Sequence, residues 1–229
     1  MESSDKTVLE KNTAAEKALD YIQNGMIIGL GSGSTFKIFL EKLSKRIKEG
    51  LKIQTVSTSS GTTSLAESLG IKLTDLSKIS FIDVTIDGAD EVDYELNGIK
   101  GGGGALLYEK IIASISRKNI WMINSEKYVD HLGKFPLPVE VVPFGADHTF
   151  KKLEEMGLNP KFRMNPDQYF ITDGKHFIID LDTSQNENMK KLDEELKSIP
   201  GIIETGLFLN LCSIVIIGKE DKYEIIEKS

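Results

Sequence analysis

The sequence lacks the features that mark several large classes of protein. Its 229 residues include a single cysteine, Cys212, so no intramolecular disulfide can form, which fits a reducing compartment. No apolar run approaches the roughly 20 residues that a membrane-spanning helix needs, and the amino terminus shows no apolar signal core. We therefore expect a soluble, cytoplasmic protein without a membrane partner.

Positive charge is also scarce. The chain carries 28 Lys and Arg against 35 Asp and Glu, a net charge of −7, and no basic stripe with interleaved aromatic side chains. This balance disfavours nucleic acid as a partner. A phosphorylated ligand would meet a repulsive overall field, so local backbone amides and one or two lysines would have to hold its phosphate.

Metal-ligand patterns are absent as well. The three histidines are scattered, and the acidic cluster at residues 87–93 does not match the spacing of an EF-hand loop. We therefore expect neither a metal nor a cofactor. Turn-forming or solvated aspartates are the structural alternative for this cluster. Asp87 and Asp90, which lie closest to the preceding apolar run, are the better functional candidates.

Four short apolar runs, at residues 26–30, 53–56, 81–86 and 119–123, alternate with helical patterns, the first of them preceded by a predicted helix at 13–23. This alternation favours βαβ units and a mostly parallel sheet, an α/β fold. Each run ends in a loop rich in Ser, Thr, Gly, Asp or Lys. Ligands bind outside the carboxyl ends of strands in such sheets, so the four loops should line one crevice.

After residue 133 the pattern changes to shorter strands and charged helices. Strand candidates lie at 139–142, 169–172 and 177–180, with a hairpin signal at Asp173 and Gly174 between the last two. These features predict a small α+β unit. Two closing strand candidates follow this unit, at residues 202–209 and 214–217.

Four consecutive glycines, residues 101–104, are the most unusual feature of the chain. Ordering them costs conformational entropy, and the usual return is a backbone that approaches a ligand closely and aims its N–H groups at it. Lys100 begins the run, where it can neutralise a developing oxyanion. Carboxylates on either side favour proton-transfer chemistry on an oxygen-rich, anionic small molecule.

Glu109 is the strongest candidate for a base. If residues 105–115 form a helix, its neighbours three and four positions away are all apolar, and the helix is buried nearly all round. A carboxylate among apolar neighbours is a better proton acceptor than one in water. The alternatives are a surface residue or half of a charge pair with Lys110.

Residues 29–35 join a strand to a helix and form a candidate anion site. They match neither the dinucleotide fingerprint, which requires glycine where Ser34 stands, nor a P-loop. The structural alternative is a glycine-tolerant turn with a Ser or Thr helix cap. Lys127, at the end of the fourth apolar run, is placed to meet a phosphate or hydroxyl group; the alternative is a solvated surface lysine.

Together these motifs resemble ribose-5-phosphate isomerase of the A type. The resemblance covers nearly the whole chain, with the motifs in order and at matching spacing; they are residues 29–35, 87–91, 100–106, 109–110, 132–140, 172–174, 200–201 and 206–208. It implies metal-independent interconversion of D-ribose 5-phosphate and D-ribulose 5-phosphate, through an enediolate, in the pentose phosphate pathway.

The resemblance also implies roles for single residues. Glu109 falls on the family's catalytic base, and Asp87, Asp90 and Lys100 fall on positions for ring opening and for holding the enediolate oxygens. The substrate-binding positions that it implies are Ser32, Gly33, Ser34, Thr35, Asp87, Gly88, Ala89, Asp90, Lys100, Gly101, Gly102, Gly103 and Lys127.

The resemblance further implies an architecture. Residues 1–133 and 206–229 would form a Rossmann-like catalytic domain with a mostly parallel sheet. Residues 134–205 would form a smaller, inserted ferredoxin-like α+β domain that serves oligomerisation, giving a homodimer or homotetramer. The sequence departs from the family at Cys212 and Ser213, and at Lys175 and His176, all away from the reactive loops.

Two other functions compete with this one. A non-catalytic sugar-phosphate sensor is the main alternative, but it would be expected to carry a DNA-binding helix-turn-helix and has no need of a base at Glu109. A coenzyme A transferase-like enzyme would use a glutamate as a covalent nucleophile. For that class the chain is short and lacks an evident nucleotide pocket.

Overall fold

The computed structural model describes residues 3–228, and within that range no helix is both long and apolar enough to cross a lipid bilayer. Its largest element is a six-stranded sheet in the order β15-β14-β6-β3-β1-β2. The six strands are β1 (Ile27–Leu30), β2 (Gln54–Ser57), β3 (Val84–Gly88), β6 (Asn119–Asn124), β14 (Ile214–Lys219) and β15 (Lys222–Glu227).

The order of these strands creates a crevice. β1 pairs in parallel with β2 on one side and with β3 on the other, and β3, β6 and β14 continue in parallel. Only β15 runs antiparallel, as a hairpin partner of β14 that the sequence did not predict. From β1 the chain continues to β2 on one side of β1, and it later returns to form β3 on the other side. The loops after β1 and β3 therefore lead away from each other and leave a crevice between them, the place where ligands bind in such sheets.

Three α-helices precede β3 in the chain: α1 (Ser3–Ala18), α2 (Gly33–Lys48) and α3 (Ser60–Ser68). α1 begins well before residue 13, where the sequence pattern placed its start. Its first half is polar, but Glu10 is buried and accepts hydrogen bonds from Ser125 through both N–H and Oγ. At Gly218 a side chain would collide with the Glu10 backbone, so this close approach holds the polar half of α1 on the sheet.

A second, four-stranded antiparallel sheet has the order β12-β7-β11-β8. Its elements follow one another as β7 (Leu137–Val141), α5 (Ala146–Glu155), β8 (Lys161–Phe162), β11 (Phe177–Leu181), α6 (Met189–Lys197) and β12 (Ile202–Thr205). This βαββαβ order is the ferredoxin-like arrangement, so the predicted α/β fold with a smaller α+β unit is confirmed. The predicted strand at 169–172 is wrong: pairing stops at Tyr169, in a short hairpin of β9 (Met164–Asn165) with β10 (Gln168–Tyr169).

The predicted strand at 202–209 is divided between two sheets. β12 belongs to the antiparallel sheet, whereas β13 (Leu207–Phe208) joins a three-stranded sheet with β4 (Glu91–Val92) and β5 (Gly98–Ile99). The change occurs at Gly206, where a side chain would collide with the Lys100 backbone. The carbonyl of Gly206 accepts from the N–H of Lys100 at 2.9 Å, so this junction positions Lys100.

Candidate active site

A buried lysine joins two buried carboxylates at the centre of the crevice. Lys100 Nζ lies 2.9 Å from Asp87 Oδ2 and 3.0 Å from Glu109 Oε2, and donates to the carbonyl of Gly88 at 2.5 Å. The three side chains are each only 3–4% exposed. Breaking a buried pair of this kind leaves an uncompensated charge, so the three groups must act as one unit.

Different elements bring these three residues together. Asp87 lies within β3, near its carboxyl end, and not after the strand as the sequence suggested. Lys100 follows β5, and Glu109 lies in the first turn of α4 (Leu106–Ser114). Lys110 anchors α4 to the junction of β12 and β13. It donates to the carbonyls of Thr205 and Leu207 at 2.7 Å and to the Glu204 carboxylate at 2.9 Å.

The surroundings of Glu109 differ from those predicted. α4 is not buried nearly all round, because Tyr108 and Ile111 are 38% and 42% exposed. The buried face does carry Glu109, but polar groups from other elements meet its carboxylate. Oε1 accepts from Ser32 Oγ at 2.5 Å, while Oε2 pairs with Lys100 outside hydrogen-bond geometry and is buried without a hydrogen-bond donor. Oε2 thus faces the Lys100 ammonium at 3.0 Å and has no other polar partner.

Burial and the charges of this cluster shift the pKa values of Asp87 and Lys100. Burial, and after it the charge of Glu109, raises the pKa of Asp87 to about 6, although Lys100 and the Ser32 N–H oppose the shift. Burial works against the charged form of Lys100, but the Asp87 and Glu109 carboxylates outweigh it and raise its pKa above the ordinary value. Lys100 is therefore cationic at neutral pH, whereas Asp87 titrates just below neutrality.

The loop after β1 and the glycine run enclose a cavity of about 210 Å³ above this cluster. It is lined by Ser32, Gly33, Ser34, Thr35, Gly88, Ala89, Asp90, Lys100, Gly101, Gly102, Gly103, Glu109 and Lys127. Every residue of this lining was a candidate from the sequence. A wider cavity of about 450 Å³ adjoins it and shares Ser32, Gly33, Ser34 and Gly103.

Asp87 and Asp90 occupy different places. Asp87 lies beneath the cavity, where its Oδ1 accepts from the N–H groups of Ser32 at 2.9 Å and Gly88 at 2.7 Å. Asp90 lines the cavity, and its Oδ2 accepts from the N–H of Gly102 at 2.8 Å. Of the two aspartates, Asp90 is therefore the one that a ligand can reach directly.

Two lysines lie near the cavity: Lys127 lines it, and Lys11 contacts Ser34 of its lining. Lys127 Nζ donates to the carbonyl of Ala89 at 2.5 Å and lies 3.9 Å from Asp90 Oδ1; burial lowers its pKa. Lys11 Nζ donates to Ser34 Oγ at 3.0 Å. The sequence analysis missed Lys11, because the helix prediction began two residues after it and gave no reason to place it at the crevice.

Other predicted features lie apart from this cluster. Cys212 is buried, and burial raises the pKa of its thiol to about 12, as suits a packed core residue. His176 Nδ1 contacts the buried Glu140 at 2.9 Å in the antiparallel sheet. Among residues 3–228, no group of three or more His, Cys, Asp or Glu side chains is arranged to hold a metal ion.

Known proteins share both the sequence and the structure of this chain. The family profile described as ribose 5-phosphate isomerase A (phosphoriboisomerase A) matches residues 54–222. A protein of Streptococcus thermophilus named ribose-5-phosphate isomerase A is 49% identical over 219 residues, which cover 95% of this chain and 97% of that protein. One of Limosilactobacillus reuteri with the same name is 46% identical over 225 residues, covering 97% and 98%.

Solved structures extend this similarity to the fold. A D-ribose-5-phosphate isomerase in complex with phospho-erythronic acid superposes with a TM-score of 0.92 at 37% identity, covering 96% of this chain and 99% of that one. The ribose 5-phosphate isomerase of Plasmodium falciparum gives a TM-score of 0.93 at 36% identity, covering 97% and 99%. The chain under study belongs to the ribose 5-phosphate isomerase A family.

Proposed function

We propose that this chain interconverts D-ribose 5-phosphate and D-ribulose 5-phosphate as an aldose-ketose isomerase of the pentose phosphate pathway. The observation that carries the proposal is the buried cluster of Glu109, Lys100 and Asp87 beneath the cavity. It combines a carboxylate that can serve as a base with a cation fixed beside it, and the reaction needs both. A sensor has no use for this combination, and the relatives of this chain are named as isomerases.

Proton transfer is the first role that we assign. In the open-chain aldose, Glu109 takes the proton from C2, and the electron pair of that bond forms the C1–C2 double bond of an enediolate. The same carboxylic acid then returns the proton to C1, while the O2 proton moves to O1, so the ketose forms with no net gain or loss of atoms. Lys100 and the amides of the glycine run hold the two oxygens while they carry negative charge.

Ring opening must precede this step, because the furanose has no free carbonyl group. We assign the direct proton exchange with the ring oxygens to Asp90, since it lines the cavity. Asp87 supports the reaction from beneath by holding Lys100, with its Oδ2 2.9 Å from Nζ. Both aspartates therefore take part, one at the substrate and one through the lysine.

The phosphate group fits the end of the cavity at the start of α2. Backbone N–H groups and the helix dipole favour an anion there, and Lys11 and Lys127 add positive charge locally to a chain whose net charge is −7. Ser34 and Thr35 supply hydroxyl groups. Such local groups would offset the repulsive overall field that a phosphate meets.

Replacing Lys127 by alanine should raise KM for ribose 5-phosphate by about 10-fold with a smaller change in kcat, because a phosphate contact is made in ground state and transition state alike. Lys11→Ala should do the same, and the double variant should be weaker than either. Lys118→Ala, at the opposite end of the sheet, serves as the matched control. An unchanged KM in Lys127→Ala contradicts its assignment to substrate binding.

The pH dependence of activity should reflect Asp87. Because the pKa of Asp87 is raised to about 6, the ionised form prevails at neutral pH and shares the charge of Lys100. When Asp87 takes up a proton, Glu109 is the only carboxylate left to pair with Lys100. That pairing then competes with the transfer of a substrate proton to Glu109. We expect kcat/KM to fall as the pH drops through about 6. Asp87→Asn should lack this limb; an identical profile in that variant contradicts the assignment.

The organisation of the chain follows the same proposal. We propose that residues 1–133 and 206–229 form the catalytic domain and residues 134–205 a smaller domain. The chain would assemble through the smaller domain as a homodimer or homotetramer, and would act in the cytoplasm. Light scattering of the purified chain measures the assembly directly.

Turnover of purified protein tests the function. We expect ribulose 5-phosphate to form from ribose 5-phosphate at the same rate with and without EDTA, and not to form with Glu109→Gln. Tight binding of ribose 5-phosphate without turnover would instead identify a sensor. Sensitivity to EDTA would contradict the metal-independent mechanism.

A further inference from the structure

Arg163 of the smaller antiparallel sheet reaches into the glycine run of the active site. It lies between β8 and β9, fixed by its N–H, which donates to the carbonyl of Ile178 at 2.9 Å. Its Nη1 donates to the carbonyls of Gly101 and Gly102 at 2.8 and 3.0 Å. One guanidinium nitrogen therefore binds two consecutive carbonyls of a loop whose four glycines give its backbone wide conformational freedom.

The orientation of Arg163 is fixed from behind by Asp180. Nε donates to Asp180 Oδ2 at 2.9 Å and Nη2 donates to Oδ1, so the carboxylate grips the guanidinium at two points. The arginine side chain is only 15% exposed. A lysine offers one compact ammonium group and cannot reproduce this fork.

The rest of the loop rests on the same sheet. The N–H of Gly104 donates to the carbonyl of Gly101 at 2.9 Å, which closes a tight turn around Gly102 and Gly103. Gly101 and Gly104 have φ values of +104° and +83°, a region that glycine adopts most readily. At Gly104 a side chain would collide with the ring of Phe170, so the loop lies directly on the antiparallel sheet.

The carbonyl of Gly102 belongs to the same peptide unit as the N–H of Gly103. In a planar trans peptide these two groups point in opposite directions, so a guanidinium that binds the carbonyl also aims the N–H away from itself. Gly103 lines the active-site cavity. No acceptor in the part of the chain that the structure describes takes up its N–H, whereas the N–H of Gly102 is already bound to Asp90.

We propose that Arg163 is a positioning residue that holds the Gly102–Gly103 peptide with its N–H directed at the developing oxyanion. This inference rests on the isomerase function proposed above. Through this contact the smaller sheet contributes to catalysis, although none of its residues lines the inner cavity. The positive charge of Arg163 at the Gly102 carbonyl also polarises this peptide and makes the Gly103 N–H a stronger donor.

The test compares Arg163→Lys and Arg163→Met with Arg117→Met. Arg117 also pairs with an aspartate, Asp83 at 3.3 Å, but lies far from the glycine run. We expect both Arg163 variants to lose about 10- to 100-fold in kcat with little change in KM, because the interaction is realised in the transition state. The lysine variant should not rescue activity, and Arg117→Met should retain it.

Two ligands separate positioning from a merely structural role. Phospho-erythronic acid carries a planar carboxylate that resembles the two oxygens of the enediolate, whereas ribitol 5-phosphate has a phosphate and hydroxyl groups alone. In Arg163→Lys the Kd of phospho-erythronic acid should rise about 10-fold, while the Kd of ribitol 5-phosphate and the Tm should stay nearly constant. Equal weakening of both ligands, or full activity of the lysine variant, would overturn the proposal.

The binding measurements need no turnover. If the wild-type protein fails to isomerise ribose 5-phosphate, the proposed function is wrong, but the ratio of the two Kd values still decides whether Arg163 controls the oxyanion end of the cavity. If the wild type isomerises and the Arg163 variants match it in kcat and in that ratio, the function stands and the role of Arg163 is refuted.

Discussion

Replacing Glu109 by glutamine should abolish isomerisation while leaving the binding of sugar phosphate nearly intact. The amide has almost the same shape and still accepts the hydrogen bond from Ser32 Oγ, but it cannot take a proton from carbon. General-base catalysis of this kind contributes about 10²- to 10⁴-fold, so kcat should fall by at least about 10²-fold. Steady-state turnover and calorimetric titration with ribose 5-phosphate measure the two effects separately.

A solvent-exchange experiment makes this prediction sharper. If Glu109 carries the proton between C2 and C1, the wild-type enzyme in deuterated water should introduce deuterium at these carbons, and Glu109→Gln should introduce none. Glu95→Gln is the matched control, because Glu95 is exposed in the turn between β4 and β5. Residual turnover of the Glu109 variant above about one hundredth of wild type would reject Glu109 as the base.

The sequence predicted the composition of the site because the site is built from local loops at the ends of parallel strands. The loop after β1, the loop after β3 and Lys127 after β6 were each recognisable from an apolar run followed by polar residues. Parallel topology alone requires such ends to meet at one edge of the sheet. The structure brings these predicted loops around one cavity, and the roles of their residues stay predictions.

Contacts between distant elements could not be read from the sequence. The apolar neighbours of Glu109 on its own helix suggested an apolar pocket, whereas Ser32 and Lys100 approach its carboxylate from two other segments. Lys11 was missed because it lies in the polar first half of α1, which the buried Glu10 and Gly218 hold on the sheet, whereas the apolar residues that periodicity reveals begin at Ala14. Arg163 likewise gains its contacts with the glycine run only through the packing of the smaller sheet.

The division of the predicted strand at 202–209 shows the same limit. Gly206 interrupts the strand-forming residues at 202–209, and an isolated glycine indicates a bulge or a close backbone approach, but it does not show that pairing changes partners there. The change of partners follows from a contact with a distant segment, because Gly206 must pass close to the backbone of Lys100 and bind its N–H. A feature that looks like one strand in the sequence thus serves two sheets and fixes the central lysine of the site.

Replacing that lysine by methionine should have the second large effect, on stability and activity together. Lys100→Met leaves Asp87 and Glu109 buried beside each other without a cation. Losing one partner of a buried ion pair costs about 3–5 kcal/mol in the free energy of unfolding. If Lys100 holds the enediolate oxygens as proposed, losing its charge should also lower kcat by at least about 10²-fold. Urea denaturation and turnover at a temperature where the variant is folded measure both losses.

The loss of stability in Lys100→Met should depend on pH in a definite direction. Without Lys100, the pKa of Asp87 in the folded state should lie even further above its ordinary value than the present value of about 6, because burial and Glu109 then act unopposed by a cation. The folded variant then binds more protons than the unfolded chain, so its free energy of unfolding must rise as the pH falls and decline as the pH rises through the folded-state pKa.

Adding Asp87→Asn should restore stability at neutral pH without restoring turnover. Lys110→Met, which breaks the contacts of another buried lysine on the helix that carries Glu109, should be destabilised without regaining stability through Asp87→Asn. If Asp87→Asn stabilises both lysine variants equally, the electrostatic account of the cluster is wrong.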